Sequence, residues 1–197
     1  MYAINRRALY TYWMNRFSAR LVVDINLDID ISLVKSAKMG DQRSFAQLYD
    51  SVAMHMYKYA LYSLGNPHDA EDVVSDAFLD AYRGLHSLRD ESAFKSWIMK
   101  ILSTKIKHKY KEYTRGRETV ELTDDLISDG DLTEDLTDKS AVAQALQQLS
   151  PQERQIVVLT SIYGYTTKEV AKMLGCPHGT VSSKLHRSLA KLRGLLD

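Results

Sequence analysis

The sequence predicts an all-α fold of two small helical domains joined by an acidic flexible linker, with a helix-turn-helix in the C-terminal domain. Apolar residues recur at helical spacing along much of the 197 residues, and no segment alternates with the two-residue period of a strand. Nine Gly and three Pro leave few breaks in these helices. The net charge is only +1, yet the charged residues fall into blocks of one sign. These observations favour helices grouped into two charged units.

The N-terminal helical domain begins with a pair of helices. Helical spacing runs from Ile31 to Leu64, and Gly40 and Asp41 are predicted to divide it into two helices. A third helix starts at Asn66-Pro67-His68-Asp69, where Asp69 is predicted to cap free backbone amides. The predicted apolar face of this helix consists of Val73, Val74, Ala77, Phe78, Ala81, Tyr82 and Leu85.

A polar loop at 88–92 precedes a fourth helix, which is strongly basic. Its apolar residues resume at Phe94 and its lysines continue to about Arg117. Residues 95–117 carry eight Lys and Arg against one acid, whereas residues 118–138 carry nine acids and no Lys or Arg. Because the acidic stretch is also aperiodic, it is predicted to form an extended linker.

The C-terminal domain shows two clear helix starts. Ser150-Pro151-Gln152-Glu153 and Thr166-Thr167-Lys168-Glu169 both place a hydroxyl residue three positions before a glutamate, as in a capping box. Ala171 and Gly175 meet the small-residue and turn requirements of a helix-turn-helix. The predicted shared core of the two helices consists of Val170, Leu174, Val181 and Leu185, and the last helix runs from about His178 to Leu196.

The outward face of the last helix suits DNA. Ser182, Ser183, His186 and Arg187 point away from the predicted core, and Lys184, Lys191 and Arg193 add positive charge for phosphate contacts. An ordinary helical hairpin with a solvated basic face is the simpler alternative. The capping box, small residue, turn glycine and basic helix occur together at the right offsets, so DNA binding is favoured.

Composition and motifs exclude several other classes. No stretch is long and apolar enough to cross a bilayer or resembles a secretory signal, so a cytoplasmic protein without membrane insertion is expected. Cys176 is the only cysteine and is predicted to be structural, and no metal-ligand spacing occurs. Neither a phosphate-binding glycine loop nor a catalytic constellation is recognisable. We therefore expect no metal, no cofactor and no catalytic residue.

Four segments resemble the extracytoplasmic-function (ECF) sigma factors of bacterial RNA polymerase. The segment from Leu174 to Arg187 is similar to the family's C-terminal promoter-binding motif. Three N-terminal segments are similar to its first helix pair, its most diagnostic helix and the start of its DNA-melting helix: Gly40-Asp41-Gln42-Arg43-Ser44-Phe45, Asp69-Ala70-Glu71-Asp72-Val73-Val74-Ser75-Asp76-Ala77-Phe78 and Ala93-Phe94-Lys95-Ser96-Trp97-Ile98. The resemblance covers about residues 30–115 and 140–197, in the family's order.

The resemblance implies three sets of site residues. The helix from Asp69 to Leu85 corresponds to the segment that binds core RNA polymerase, with acids that suit a basic partner: Asp69, Glu71, Asp72, Asp76 and Asp80. Without the resemblance, a solvated acidic face is the preferred reading. Promoter minus-ten contacts are implied at Leu88, Arg89, Trp97, Lys100, Thr104, Lys107 and His108. Minus-thirty-five contacts are implied at His178, Thr180, Ser182, Ser183, Lys184, His186, Arg187 and Lys191.

Two aromatic residues and two departures from the family pattern refine these sets. Phe94 is predicted to be a core residue, while Trp97 suits either the core or base stacking. Where the family usually has Ala-Arg-Asn, this chain has Leu102-Ser103-Thr104, which implies a different minus-ten preference. Ser182 stands where a basic residue is common.

The predicted organisation is an N-terminal extension at 1–29, a polymerase and minus-ten domain at 30–115, a linker at 116–139 and a minus-thirty-five domain at 140–197. The resemblance implies a sigma factor whose partners are core RNA polymerase and promoter DNA, and it also admits an anti-sigma factor. The alternative is a helix-turn-helix regulator whose N-terminal domain senses a ligand or dimerises without binding polymerase. The basic and aromatic extension has no counterpart in the family and is compatible with a regulatory helix or with a misplaced start codon.

Overall fold

The computed structural model describes residues 29–119 and 139–196, which form only helices and their connections and contain no strand. The predicted all-α fold is confirmed. Eight α-helices occur in these residues: α1 Ile31–Lys38, α2 Gln42–Leu64, α3 Pro67–Gly84, α4 Phe94–Thr119, α5 Lys139–Gln147, α6 Pro151–Val157, α7 Thr167–Leu174 and α8 His178–Leu196. None of the described helices is both long and apolar enough to span a bilayer.

The break between α1 and α2 lies where the sequence predicts it. Gly40 adopts a φ of 96°, a left-handed conformation that glycine accepts without strain. The Asp41 carboxylate then accepts hydrogen bonds from the amides of Arg43 and Ser44, at 3.2 and 3.3 Å, and so caps α2.

The start of α3 differs from the prediction. Asn66, not Asp69, is the N-cap, and its Oδ1 accepts a hydrogen bond from the Asp69 amide at 3.1 Å. Because Pro67 occupies the first helical position, the cap must be the residue just before it. Asp69 therefore lies inside the first turn, and its carboxylate is free to bind other side chains.

The first domain consists of α1–α4, in which α3 packs against both α2 and α4, and α1 packs against α2. Short 3₁₀ turns at Leu85–Ser87 and Glu91–Ala93 connect α3 to α4. The predicted apolar face of α3 is buried except at Tyr82, which is 53% exposed. The assignment of Tyr82 to the buried face is therefore wrong. The Tyr82 ring packs edge-on against Phe45 with its other side in solvent, because an aromatic ring at the rim of a core is covered on one side only.

The second domain consists of α5–α8. Both predicted capping boxes are present, with Ser150 and Glu153 at α6 and Thr166 and Glu169 at α7. Helix α6 continues into a π-helical segment at Val158–Ile162, and every residue from Arg154 to Tyr163 is buried. The end of α6 and the π-helical segment are therefore covered on all sides, whereas the first turn of α6 is in contact with solvent.

Most of the predicted linker and almost all of the N-terminal extension lie outside the described residues, at 120–138 and 1–28. At the edges of the linker prediction, 116–119 belong to α4 and Lys139 begins α5. The two domains pack against each other: α2 contacts α5, α6 and the π-helical segment, and α4 contacts α7. These contacts bury the side of α6 that the second domain itself leaves open.

Candidate nucleic-acid interface

Helix α4 presents a basic face to solvent. Its buried residues Phe94, Ile98, Leu102 and Ile106 form the inner stripe at helical spacing. Four of the predicted site residues are exposed on its outer side: Lys100, Thr104, Lys107 and His108. The exposed side chain of Lys111 continues this face and was missed by sequence reasoning, although it lies four residues after Lys107.

Four lysines of α4, those at 100, 105, 107 and 109, divide into two groups. Lys105 pairs with Asp80 and Lys109 with Asp69, each at 2.7 Å between Nζ and a carboxylate oxygen. Lys100 and Lys107 form no ion pair within the described residues. Because ammonium groups without an internal partner can bind the phosphate backbone, the outer face of α4 suits a nucleic acid.

The connection between α3 and α4 is anchored on the first domain. Asp90 accepts hydrogen bonds from the amide and the hydroxyl of Ser92, at 2.9 and 2.7 Å, and Glu91 pairs with Lys38 of α1. Arg89 is exposed, but Leu88 is only 7% exposed, so the side chain predicted to contact DNA supports the loop from inside. An apolar side chain before a loop gains more from burial in the core than from contact with water.

Phe94 and Trp97 have different environments. Phe94 is 1% exposed, which confirms its predicted place in the core. Trp97 is partly buried, with its ring centroid 6.1 Å from that of Phe94 and the two rings tilted by 38°. One part of the indole therefore packs on the core, and the remainder is open to a stacking partner.

The five acids predicted on α3 also divide into two groups. Asp69 binds Lys109 and accepts a hydrogen bond from the Tyr113 hydroxyl, and Asp80 binds Lys105. Burial of Asp69 opposes ionisation, but the bonds from Lys109 and Tyr113 outweigh it and lower the pKa of the carboxyl group. Glu71, Asp72 and Asp76 are exposed.

Two apolar side chains share the outward side of α3 with these acids. Leu79 is 54% exposed and Tyr82 is 53% exposed. Leu79 follows Asp76 by three residues and so lies on the same face, which is a signal that sequence reasoning missed. A surface with both acids and apolar groups suits a protein partner better than a purely solvated face.

The helix-turn-helix is formed by α7 and α8. The Thr166 hydroxyl accepts a hydrogen bond from the Glu169 amide at 3.3 Å, and the Glu169 carboxylate binds the Thr166 amide at 2.8 Å. Gly175 ends α7 with a φ of 63°, a conformation that disfavours a side chain. Of the predicted shared core, Val170 and Val181 are fully buried, while Leu174 and Leu185 are partly buried.

The predicted site residues of α8 differ in exposure and in partners. Ser183, His186 and Arg187 are exposed, and Thr180, Ser182 and Lys184 are partly buried. His178 is exposed, with its Nε2 2.9 Å from the Thr167 hydroxyl, and Lys191 donates to the carbonyl of Gln148. Lys191 thus joins α8 to the end of α5, while the exposed residues remain available for an external ligand.

Comparison with known proteins gives matches in both domains. Residues 48–116 match the family described as Sigma-70 region 2, and residues 139–192 match the family described as Sigma-70, region 4. The chain is 30% identical over 173 residues to the ECF RNA polymerase sigma factor SigW of Bacillus subtilis, which covers 81% of this chain and 92% of SigW. It is 31% identical over 185 residues to the RNA polymerase sigma factor CnrH of Cupriavidus metallidurans, and this match covers 86% of this chain and 95% of CnrH.

Solved structures agree with this result. CnrH in complex with the cytosolic domain of CnrY has a TM-score of 0.63 and 29% identity, and the match covers 86% of this chain and 98% of CnrH. The sigma factor RpoE in complex with the anti-sigma factor NepR from Bartonella quintana has a TM-score of 0.63 at 24% identity. This match covers 78% of this chain and 97% of RpoE, so the two proteins share the fold.

Proposed function

The chain belongs to the ECF RNA polymerase sigma factors and is therefore an RNA polymerase sigma factor; from this premise we propose which of its surfaces contact polymerase and promoter. The first domain contacts the minus-ten element, and the helix-turn-helix of the second domain contacts the minus-thirty-five element. The observation that carries the proposal is that each domain exposes its own face of basic and hydroxyl side chains, on α4 and on α8.

On α4, the cations Lys100 and Lys107 track the phosphates, and the accessible part of Trp97 stacks on a base of the melted strand. Thr104 occupies the position at which the family commonly has an asparagine. Its hydroxyl already donates to the Lys100 carbonyl at 3.0 Å, and the oxygen keeps lone pairs that can accept from a base. Leu88 contributes to this site by holding the loop that presents Arg89.

On α8, Arg187 and His186 face the major groove, while Ser183 and Lys184 bind phosphates nearby. Thr180, Ser182 and His178 line the start of the same helix. Lys191 has a lesser role in DNA binding because its ammonium group already binds the second domain.

Core polymerase binds the outward face of α3. Glu71, Asp72 and Asp76 supply charge that speeds association, and Leu79 and Tyr82 supply apolar area that slows dissociation. Asp69 and Asp80 contribute less than the sequence predicts, since their carboxylates bind lysines of α4.

The proposed domain boundaries follow the sequence, with a polymerase and minus-ten domain at 30–115, a linker at 116–139 and a minus-thirty-five domain at 140–197. Within that scheme the linker sets the effective concentration of one DNA contact relative to the other. The chain acts in the cytoplasm with RNA polymerase, carries no catalytic residue of its own and needs no cofactor. CnrH is bound by the cytosolic domain of CnrY, and an anti-sigma protein is proposed as a partner of this chain too.

Run-off transcription with purified core polymerase tests the proposal. We expect the full chain to direct initiation from a promoter with both elements, and to lose it when either element is scrambled. A matched pair of variants reports on the first domain: Lys100→Ala with Lys107→Ala should reduce open-complex formation. Lys35→Ala with Arg43→Ala, which removes two exposed cations from α1 and α2, away from both proposed DNA faces, should not. Tight binding to one duplex site without polymerase, together with no run-off product, is the result that favours a helix-turn-helix regulator.

A further inference from the structure

Helices α2 and α3 form an apolar surface along the line where they meet. The ring centroids of Phe45 and Tyr82 lie 5.0 Å apart, and those of Tyr49 and Phe78 lie 4.3 Å apart. Tyr49 is 42% exposed, and Leu79 lies one turn before Tyr82 with 54% of its surface exposed. We call the four residues with accessible apolar surface the apolar patch: Phe45, Tyr49, Leu79 and Tyr82.

Acidic side chains of α3 border the apolar patch. Glu71, Asp72 and Asp76 are exposed, and none of the three forms an ion pair within residues 29–119 and 139–196. Clustered apolar side chains with a polar border are typical of a surface that binds a protein segment. The negative border favours a segment that is basic as well as apolar.

The residues that precede Ile29 have this complementary composition. Residues 1–23 contain no acidic residue, and they contain four arginines and five aromatic residues: Arg6, Arg7, Arg16, Arg20, Tyr2, Tyr10, Tyr12, Trp13 and Phe17. Arginine, tryptophan and tyrosine are the residues that most often supply the binding energy of a protein interface. Guanidinium groups bind carboxylates and also the faces of tyrosine rings. The extension is therefore complementary to the patch and its border in charge and in aromatic character.

The extension is attached close to the apolar patch. Ile29 packs on the core, and α1 then packs on α2 and on the 3₁₀ turn that follows α3. The patch occupies the first turns of α2 and the last turns of α3, at the same end of the domain. Helix α1 is about 12 Å long, whereas the chain from Phe17 to Ile29 spans up to about 40 Å when extended. Aromatic residues of the extension can therefore reach the patch.

We propose that residues 1–28 bind the apolar patch of the free chain and so compete with core polymerase for the outward face of α3. This regulation rests on the proposed function, in which Leu79 and Tyr82 of that face bind polymerase. A segment joined to its own binding site acts at an effective concentration on the order of millimolar, so individually weak contacts cover the patch. The apparent affinity for polymerase falls by the fraction of chains whose patch is free.

Fluorescence of Trp13 tests the contact in the free chain. Trp13 and Trp97 are the two tryptophans of the sequence, so Trp97→Phe leaves Trp13 as the single reporter. We expect acrylamide, a collisional quencher, to reach Trp13 less readily in the folded chain than in the chain unfolded by urea. In this background Leu79→Ser with Tyr82→Ser should raise the ratio of free to bound extension about tenfold and expose Trp13 to the quencher.

The matched control is Met54→Ser with Leu195→Ser, which removes two apolar side chains of similar exposure outside the patch. It should leave the quenching of Trp13 unchanged. If the patch variant loses helical signal, Leu79→Ser alone is measured by the same criteria. Quenching of the parent chain equal to that of the unfolded chain overturns the proposal, as does protection that the patch variant leaves intact. Protection that disappears on dilution means that the extension binds a second copy, and it also overturns the proposal.

Polymerase binding tests the competition. Arg16→Gln with Arg20→Gln should release the extension and, where about nine-tenths of the patches are covered, tighten binding of core polymerase about tenfold. Lys35→Gln with Arg43→Gln removes the same charge from exposed positions of α1 and α2 and should not tighten it. Weaker binding of the arginine variant means that the extension itself contacts polymerase, which overturns the competition.

The two measurements distinguish the two proposals. Quenching of Trp13 needs no polymerase, so accessible Trp13 in the parent chain refutes the contact and leaves the proposed role of α3 standing. If Trp13 is protected and then released as expected while polymerase affinity stays constant, the competition is overturned because the outward face of α3 is not the polymerase site.

Discussion

The ammonium group of Lys109 lies 2.7 Å from Oδ1 of Asp69, an ion pair that joins α4 to the first turn of α3. The hydroxyl of Tyr113 binds the other oxygen of the same carboxylate. Asp69 thus holds two helices of the first domain together, whereas Asp72, three residues further along α3, is exposed. Acids that look equivalent in the sequence have different tasks in the fold.

Replacement of Asp69 should therefore reduce stability. We expect Asp69→Asn to lower the free energy of unfolding by about 1 kcal/mol at neutral pH, because the ion pair is lost and the tyrosine bond is weakened. The folded state lowers the pKa of Asp69, so its contribution is complete above the unfolded value of about 3.9 and is lost as pH falls through the folded value. The difference between the two proteins should consequently shrink below about pH 4. Urea unfolding at several pH values measures it.

Asp76→Asn is the control for that measurement, as an exposed acid on the same helix. It should change stability by less than about 0.5 kcal/mol. A loss as large as that of Asp69→Asn would show that the exposed acids of α3 are also structural.

The exposed acids should instead affect polymerase binding. We expect Asp72→Ala with Asp76→Ala to weaken binding of core polymerase about tenfold, mainly through slower association, and the effect should diminish at high salt. Asp50→Ala with Glu112→Ala changes the net charge by the same amount at exposed positions elsewhere and should have little effect. Equal losses in the two double variants would indicate a general charge effect and not a docking face. Surface binding assays at two ionic strengths separate these outcomes.

The proposed linker leads to a prediction about proteolysis. Residues 118–138 hold nine acids and no basic residue, so a protease that cuts after acids, such as Glu-C, should cleave there first. Because hydrogen bonds of Arg154 and Tyr163 join the second domain to α2, the fragments should stay associated after cleavage and elute together in gel filtration. Tyr163→Phe should weaken that association. First cleavage at other sites would place the domain boundary elsewhere.

Local chemistry made much of the fold predictable. The capping boxes at Ser150 and Thr166 and the glycine at 175 act within a few residues, so their effect can be predicted from the neighbouring residues in the sequence. The same logic failed at Asn66, where a proline displaced the cap by three residues relative to the prediction. It failed at Tyr82 because helical periodicity does not show how far the neighbouring helix extends over an aromatic ring.

Contacts between the domains could not be predicted in this way. Arg154 follows Glu153 in the sequence of α6, and no nearby residue indicates that the partners of this buried arginine are carbonyls of α2 and α5. One signal was available: residues 155–163 contain no charged side chain, although a helix with one solvated face usually carries one within that length. A stretch without charged residues indicates that other helices pack against it on several sides, but it does not identify which helices these are.

The last prediction concerns base recognition by α8. Arg187 is exposed, and its guanidinium group can form two hydrogen bonds with a guanine edge, whereas the shorter reach of the partly buried Lys184 favours a phosphate. We expect Arg187→Ala to lose about 1–3 kcal/mol of discrimination at one position of the minus-thirty-five element. Lys184→Ala should weaken all sequences about equally and reduce the salt slope by about one.

Lys191→Ala separates a structural contribution from these two, since Lys191 bonds the Gln148 carbonyl and joins α8 to the end of α5. This variant should lower the stability of the second domain and change sequence preference little. Binding of each variant, as a complex with core polymerase, to a panel of single-base promoter changes at two salt concentrations measures all three effects. If Arg187→Ala alters neither affinity nor preference, the exposed side of α8 is not the side that enters the major groove.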